Sequence, residues 1–217
     1  MMETEPQRRA RIPATERLLD AVSRGQGRRA REAVEDGADV EARYPAGSAI
    51  PGWTPGMLAA IKLGRAGNLP VDEAAYEELL GLCDPDARDA HGLTALMRAA
   101  SELNMRSIEI LAARSDLDAA VQGGRDGALR GWPALFFALN AHAGSGQAER
   151  LLDLLGTPAN LRARSSKGLD AELAALRGGS PEAAAAVARR RAALDEAEEL
   201  GRSVAPARGP SKGKPAL

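Results

Sequence analysis

Two short phrases recur along the chain at a nearly constant spacing. The first is clearest in residues 89–100, DAHGLTALMRAA, where a turn glycine is followed by a threonine and an alanine-rich run. The central alanines of five copies are Ala21, Ala59, Ala99, Ala138 and Ala175, with steps of 38, 40, 39 and 37 residues. A unit made of one turn and one amphipathic helix cannot bury its apolar face alone. The repetition therefore predicts a stack in which neighbouring units cover one another.

The second phrase precedes each turn in the same order. Its copies are ADVEAR at 38–43, CDPDAR at 83–88, SDLDAA at 115–120 and ANLRAR at 159–164. Gly92 is suited to a positive φ, and Thr94 is suited to capping the helix that follows. We predict first helices near 15–24, 55–63, 95–102 and 133–141, and second helices near 27–36, 71–82, 105–113, 146–155 and 181–200.

Residues 89–100, together with GADVEAR at 37–43, resemble the turn, first-helix and helix-end motifs of ankyrin repeats. The resemblance covers about residues 14–200 and implies an all-α ankyrin-repeat solenoid of stacked helix-turn-helix units with projecting hairpin fingers. The expected domain is 14–201, with repeats near 14–43, 52–88, 92–120, 131–164 and 168–200. It lies between a disordered segment, 1–13, and a flexible tail, 202–217. The ankyrin period is about 33 residues, so every copy here is longer. Gly56 stands where the family usually has leucine, and Pro133 where it usually has threonine.

Composition restricts the kinds of partner. Hydrophobic residues make up 44% of the chain but aromatic residues only 3%, so alanine and leucine must provide most of the packing. The net charge of −1 gives no general attraction to nucleic acid or to anionic membranes. We see no signal peptide and no run near the ~18 apolar residues of a membrane span. We therefore expect a cytoplasmic protein, and the arginine- and alanine-rich composition indicates a bacterial source.

We call the residues between each helix-end phrase and the next turn glycine a finger: 43–52, 88–92, 120–131 and 164–168. The steps that define the fingers, from the phrase's alanine to the glycine, are 10, 5, 12 and 5 residues, so long and short fingers alternate. Each long finger ends at a glycine that is followed directly by a tryptophan, and Trp53 and Trp132 are the only tryptophans. The residues after the four turn glycines form an apolar row, Trp53, Leu93, Trp132 and Leu169.

The resemblance implies that finger tips and the exposed face of the first helices bind a partner protein. One hypothesis is that Trp53 and Trp132 anchor that contact, because tryptophan is enriched among interface hot spots. The alternative is that each tryptophan packs between adjacent fingers and stabilises a long loop, and both readings remain open. Further candidates on the fingers are Tyr44, His91, Leu93, Arg125, Arg130 and Lys167. Candidates on the first-helix face are Lys62, Glu102 and Asn140.

Residues with catalytic chemistry are few. Cys83 and His91 could serve as nucleophile and base, but Cys83 occupies the small-residue position held by Ala38, Ser115 and Ala159, which predicts a buried thiol. His142 falls at a helix end, and two histidines with one cysteine do not make a zinc site. The acids Asp84, Asp86 and Asp89 fall where turns need capping. The glycine-rich run at 123–127 lacks the Lys-Ser/Thr of a phosphate loop.

We therefore expect no enzyme activity, no metal and no cofactor. The expected function is that of a monomeric, non-catalytic scaffold that binds a partner protein through its long fingers and first-helix face. The alternative is a bacterial inhibitor or immunity protein that neutralises a neighbouring enzyme or toxin. Small scaffolds without reactive residues suit either role.

Overall fold

The computed structural model describes residues 13–63, 73–122, 127, 129–141 and 145–204. Within these ranges the chain forms eleven α-helices and no β-strand, which confirms the all-α prediction. The helices are α1 (Ala14–Ser23), α2 (Gly27–Glu35), α3 (Pro55–Lys62), α4 (Glu73–Leu82), α5 (Ala95–Ser101), α6 (Met105–Ala112), α7 (Ala134–Asn140), α8 (Ser145–Leu155), α9 (Pro158–Arg162), α10 (Ala171–Arg177) and α11 (Pro181–Val204). None of them is long and apolar enough to cross a bilayer.

The helices form two layers with the same order. In the first layer α1, α3, α5, α7 and α10 each contact the next. In the second layer α2, α4, α6, α8 and α11 do the same, and each also packs against the first helix of its own pair. Buried alanines such as Ala59, Ala99 and Ala138 line the first layer. Because alanine lets backbones approach closely, this layer can be filled with few aromatic residues.

The turn that precedes each first helix has the geometry predicted for Gly92. The four turn glycines, Gly52, Gly92, Gly131 and Gly168, have φ values of 77°, 77°, 84° and 75°. The following caps differ: Thr54 and Thr94 each accept a hydrogen bond from the amide three residues on, whereas Pro133 makes no side-chain cap. The short helices therefore begin at positions that the repeated phrase marks.

Three expectations differ from the structure. α9 was not predicted: Thr157 accepts a bond from the Asn160 amide, and Pro158 stands at the first helical position, so the fourth helix-end phrase becomes a short helix. α11 extends to Val204 rather than ending near residue 200. In the helix predicted near 105–113 we expect Ile108, Ile110 and Leu111 to be buried; Ile108 and Leu111 are buried in α6, but Ile110 is half-buried.

Some predicted features lie outside the described residues. They are most of the N-terminal segment (1–12), the connection at 64–70, the first two residues of the helix predicted near 71–82, Gly123, Gly124, Arg125, His142 and the tail from 205 onward.

Candidate functional site

Each finger is closed at its base by a backbone hydrogen bond. The amides of Tyr44, Asp89, Val121 and Ser165 donate to the carbonyls of Trp53, Leu93, Trp132 and Leu169 at 2.8, 3.0, 3.0 and 2.8 Å. In the short fingers the first residue of the pair is polar, and its side chain accepts bonds from two amides of the turn. In the long fingers it is the buried apolar residue Tyr44 or Val121. The residue at the base of each finger therefore alternates with finger length: it is polar and bonded to the turn in the short fingers, and buried in the long ones.

Two arginines at equivalent positions join the first three fingers. Arg43 donates through Nη1 to the carbonyls of Gly52 at 2.8 Å and of Arg88 at 2.6 Å. Arg88 repeats the pattern with the carbonyls of Gly92 at 2.9 Å and Ala120 at 3.1 Å. Each guanidinium therefore holds its own turn and the beginning of the next finger. Charged donors make stronger hydrogen bonds than neutral ones, so this row is well fixed.

The third and fourth fingers are joined by backbone instead. The Ser166 amide donates to the Arg130 carbonyl at 3.0 Å. Gly131 lies so close to the fourth finger that a Cβ added there would be 3.1 Å from Cα of Ser165. A side chain at Gly131 would push the two fingers apart, and its positive φ also favours glycine. All four fingers therefore form one connected edge.

Trp53 is half-buried, and its ring lies beside an ion pair formed by Arg98 and Asp89. Cζ of Arg98 lies 4.3 Å from the centroid of its ring. The same guanidinium pairs with Asp89, whose carboxylate is fully buried. Asp89 also accepts bonds from the amides of His91 at 2.8 Å and Leu93 at 3.0 Å. Trp53 is thus packed on one side while part of it remains accessible.

Trp132 is buried, with only 3% of its surface exposed to solvent. Its ring centroid lies 6.3 Å from that of Phe136 and 5.1 Å from that of Phe137. Cζ of Arg177 lies 5.8 Å from it. Trp132 is therefore packed, but against the phenylalanines of α7 rather than between adjacent fingers, whereas Trp53 combines packing with partial exposure.

Two other finger candidates differ from expectation. Tyr44, expected to be exposed, is 8% exposed because its hydroxyl reaches α1 and donates to the Leu19 carbonyl at 2.7 Å. Burial, with the nearby Tyr76 and Asp20, raises the pKa of Tyr44 well above the usual value. Leu93 is also buried.

The remaining candidates are more accessible. His91, Glu102, Arg130 and Lys167 are exposed, and Lys62 and Asn140 are half-buried. Lys62 donates through Nζ to the Ser23 carbonyl at the end of α1, and burial lowers its pKa. Lys62 therefore has a structural contact of its own, which joins α3 to α1 in the first layer.

The reactive residues occupy structural positions. Cys83 is buried, as predicted, and burial raises the pKa of its thiol to about 12. Asp84 and Asp89 accept bonds from amides of their own turns, as expected, whereas Asp86 accepts a bond from the Asp116 amide of the next copy at 3.0 Å. Across the described ranges, no group of three or more His, Cys, Asp or Glu side chains is placed to hold a metal ion.

A small cavity of about 140 Å³ opens beside Trp132 at the end of the stack. Its lining residues are Trp132, Ser165, Lys167, Gly168, Leu169, Leu173 and Arg177. Sequence reasoning selected Trp132 and Lys167 but missed Leu173 and Arg177. An alignment of the copies would have singled out Leu173. It is equivalent to the core residues Met57, Met97 and Phe136, but it lies on α10, the last described helix of the first layer.

We compared the sequence with models of known protein families and with curated proteins, and neither comparison finds a match. The function of this chain therefore has to be inferred from its own residues and contacts.

Proposed function

We propose that the chain is an ankyrin-type repeat solenoid that serves as a non-catalytic scaffold and holds a partner protein against its finger edge and first-helix face. Support for the solenoid comes from helix pairs stacked in two layers of the same order, with a positive-φ glycine before each first helix after the N-terminal pair. Support for the scaffold role comes from the finger edge itself.

The observation that carries the proposal is the row of bonds from Arg43 and Arg88. A binding surface made of loops loses affinity when the loops must be ordered on binding. Here each guanidinium holds two successive fingers, and the carbonyl contacts of the two arginines span 2.6–3.1 Å. The first two fingers and the beginning of the third are therefore already held before a partner arrives.

The charge of this edge indicates what kind of protein would bind. In the finger segments 43–53, 88–93, 129–132 and 164–169, the exposed charged side chains are Arg43, Arg130, Arg164 and Lys167. The only acid in those four segments is Asp89, which is buried against Arg98. The edge is thus basic although the whole chain is nearly neutral. We propose an acidic surface on the partner, with Trp53 beside Arg98 as the apolar contact.

The test is affinity capture from the native cell, with partners identified by mass spectrometry. A variant with Trp53→Ala, Arg130→Glu and Lys167→Glu should lose at least about tenfold in capture of the partner while keeping the far-UV circular dichroism of the wild type. Trp132 is left intact because its burial would make its removal a folding defect. The matched control is Arg28→Glu on α2, an exposed charge on the opposite layer, which should capture normally. Equal capture by the triple variant and the wild type would overturn the finger-edge assignment.

A further inference from the structure

The two ends of the stack differ in polarity. On α1, the exposed side chains are Glu16, Asp20 and Ser23. On α10, at the other end of the first layer, Leu173 and Leu176 are each 48% exposed. Repeat proteins need terminal units with a polar outer face to stay soluble. The first unit meets that need, and the last unit does not.

The residues at equivalent positions in the earlier copies indicate the role of these exposed leucines. Leu169, Leu173 and Leu176 are the first, fifth and eighth residues after their turn glycine. The same positions in the earlier copies are held by Trp53, Met57 and Ala60, by Leu93, Met97 and Ala100, and by Trp132, Phe136 and Leu139. All of these except the half-buried Trp53 are buried, and α5, α7 and α10 are the helices that follow in the layer. In the last copy the same positions are exposed at Leu173 and Leu176, and the pattern of the earlier copies indicates that a further helix could cover them.

The second layer continues this surface. Arg190 of α11 pairs with Asp153 of α8 at 2.8 Å. Ala188 and Ala192 lie two residues before and after Arg190, which at about 100° per residue places both on the opposite side of the helix. Both are exposed, and their small side chains allow a close approach. We name the three residues Leu169, Leu173 and Leu176 the terminal face; Ala188 and Ala192 adjoin it on the side where α11 packs beside α10. Within the described ranges, no helix of the chain follows it.

We propose that the terminal face binds the terminal face of a second copy of this chain, with the two α10 helices side by side and parallel. Like end must meet like end, because the exposed side chains of α1 are polar and offer no matching apolar surface. A contact of this kind closes as a two-fold dimer instead of growing into a filament.

Charge complementarity supports the second copy as the occupant. Glu172 and Arg177 flank the leucine stripe on opposite sides, since each lies about 70° from its centre at about 100° per residue. A two-fold axis parallel to α10 brings the Glu172 side of one helix against the Arg177 side of the other. The two residues are five positions apart, about 7.5 Å along the axis, and flanking charges of this kind pair across parallel helices. The dimer gains two such pairs.

The test is the mass of the full-length chain in solution, measured by sedimentation equilibrium over a range of concentrations. The wild type should have the mass of two chains. Leu173→Glu and Leu176→Glu should each halve that mass without changing the far-UV circular dichroism. The matched control is Leu82→Glu on α4, because Leu82 is 51% exposed and lies away from the terminal face; it should remain dimeric. A wild type that is monomeric at every concentration would overturn the proposal and point to a foreign helix or the tail as occupant.

Charge reversal tests the orientation. Glu172→Arg or Arg177→Glu alone places like charges together twice and should raise the dissociation constant by about tenfold. The double variant restores two opposite-charge pairs and should recover most of the affinity. Failure of the double variant to recover would rule out the parallel arrangement. This measurement involves no partner protein, so its outcome is independent of the finger-edge test.

Discussion

Arg98 stacks on Trp53, with Cζ 4.3 Å from the ring centroid, while the same guanidinium pairs with the buried carboxylate of Asp89. One side chain of α5 therefore connects the tryptophan of the first finger with the carboxylate that shapes the second. Removing it would free a ring and leave a buried charge at the same time.

We expect Arg98→Ala to lower the free energy of unfolding by about 3 kcal/mol, because removing one partner of a buried ion pair leaves the other charge uncompensated. Urea unfolding followed by circular dichroism measures the change. Asp89→Asn in the Arg98→Ala background should recover part of the loss, since the amide carries no charge. A loss below about 0.5 kcal/mol would mean that the two turn amides suffice to stabilise the Asp89 carboxylate.

Gly56 lies against Cys83 so closely that a Cβ on it would be 2.7 Å from Sγ and 2.8 Å from Cβ of the cysteine. Gly56→Ala should therefore destabilise the fold by about 1–3 kcal/mol through overpacking. The matched control is Gly81→Ala in α4, where no atom lies within 4 Å of the added carbon, and this change should be neutral or stabilising by up to about 1 kcal/mol. Equal effects of the two substitutions in urea unfolding would contradict the contact.

Arg43→Ala should loosen the base of the first finger. The amides of Tyr44 and Gly52 are bonded within that base, and we expect their hydrogen exchange to become about tenfold faster, because bonds from a charged donor contribute about 1.5 kcal/mol or more. Arg164→Ala is the control, since Arg164 holds the same position in the fourth finger, and the described residues after it form no further finger for it to hold. Unchanged exchange at Tyr44 and Gly52 in Arg43→Ala would show that the backbone pairing alone holds the finger.

The fold should weaken at alkaline pH. Burial raises the pKa of Tyr76 from 10.0 to about 12, because the buried site disfavours the phenolate. The corresponding stability is complete below about pH 10 and is lost as the pH rises from 10 to about 12. A single tyrosine contributes a slope of at most about 1.4 kcal/mol per pH unit.

Unfolding free energies measured at several pH values would test this expectation. Tyr76→Phe should be less stable at neutral pH, because it loses the hydroxyl bond to the Val22 carbonyl, but should show a shallower decline above about pH 10. Cys83, with its pKa raised to about 12, and Tyr44, whose pKa is also raised by burial, add to the decline in both proteins. A decline of the same steepness in Tyr76→Phe would exclude the tyrosine as its source.

The repeated elements were predictable because their signals are local. The turn at Gly92 and the cap at Thr94 depend on residues within one phrase, and the structure has both. Most helix bounds agree within one or two residues for the same reason. The exceptions also have local causes, as at Pro158, where a cap and a proline fell inside a phrase that had been interpreted as a helix end.

Burial of individual side chains was harder to predict because it depends on residues far along the chain. Tyr44 is buried through α1, 25 residues away, at the Leu19 carbonyl. Trp132 is buried by the phenylalanines of α7 and by the last unit. Leu173 shows the opposite case, since its pattern predicts a core residue and only its place in the last copy leaves it exposed.

The hydrogen bonds of Asn104 explain how the connection after α3 can vary in length without disturbing the helices. Its side-chain nitrogen donates to the carbonyls of Ala60 and Leu63 at the end of α3, while its side-chain oxygen caps its own helix by accepting a bond from the Ser107 amide. The exit of α3 is thereby fixed to the neighbouring pair before the connection at 64–72 begins. Extra residues inserted in that connection would leave these bonds intact, so this is the place where the chain could acquire a new segment without losing its architecture.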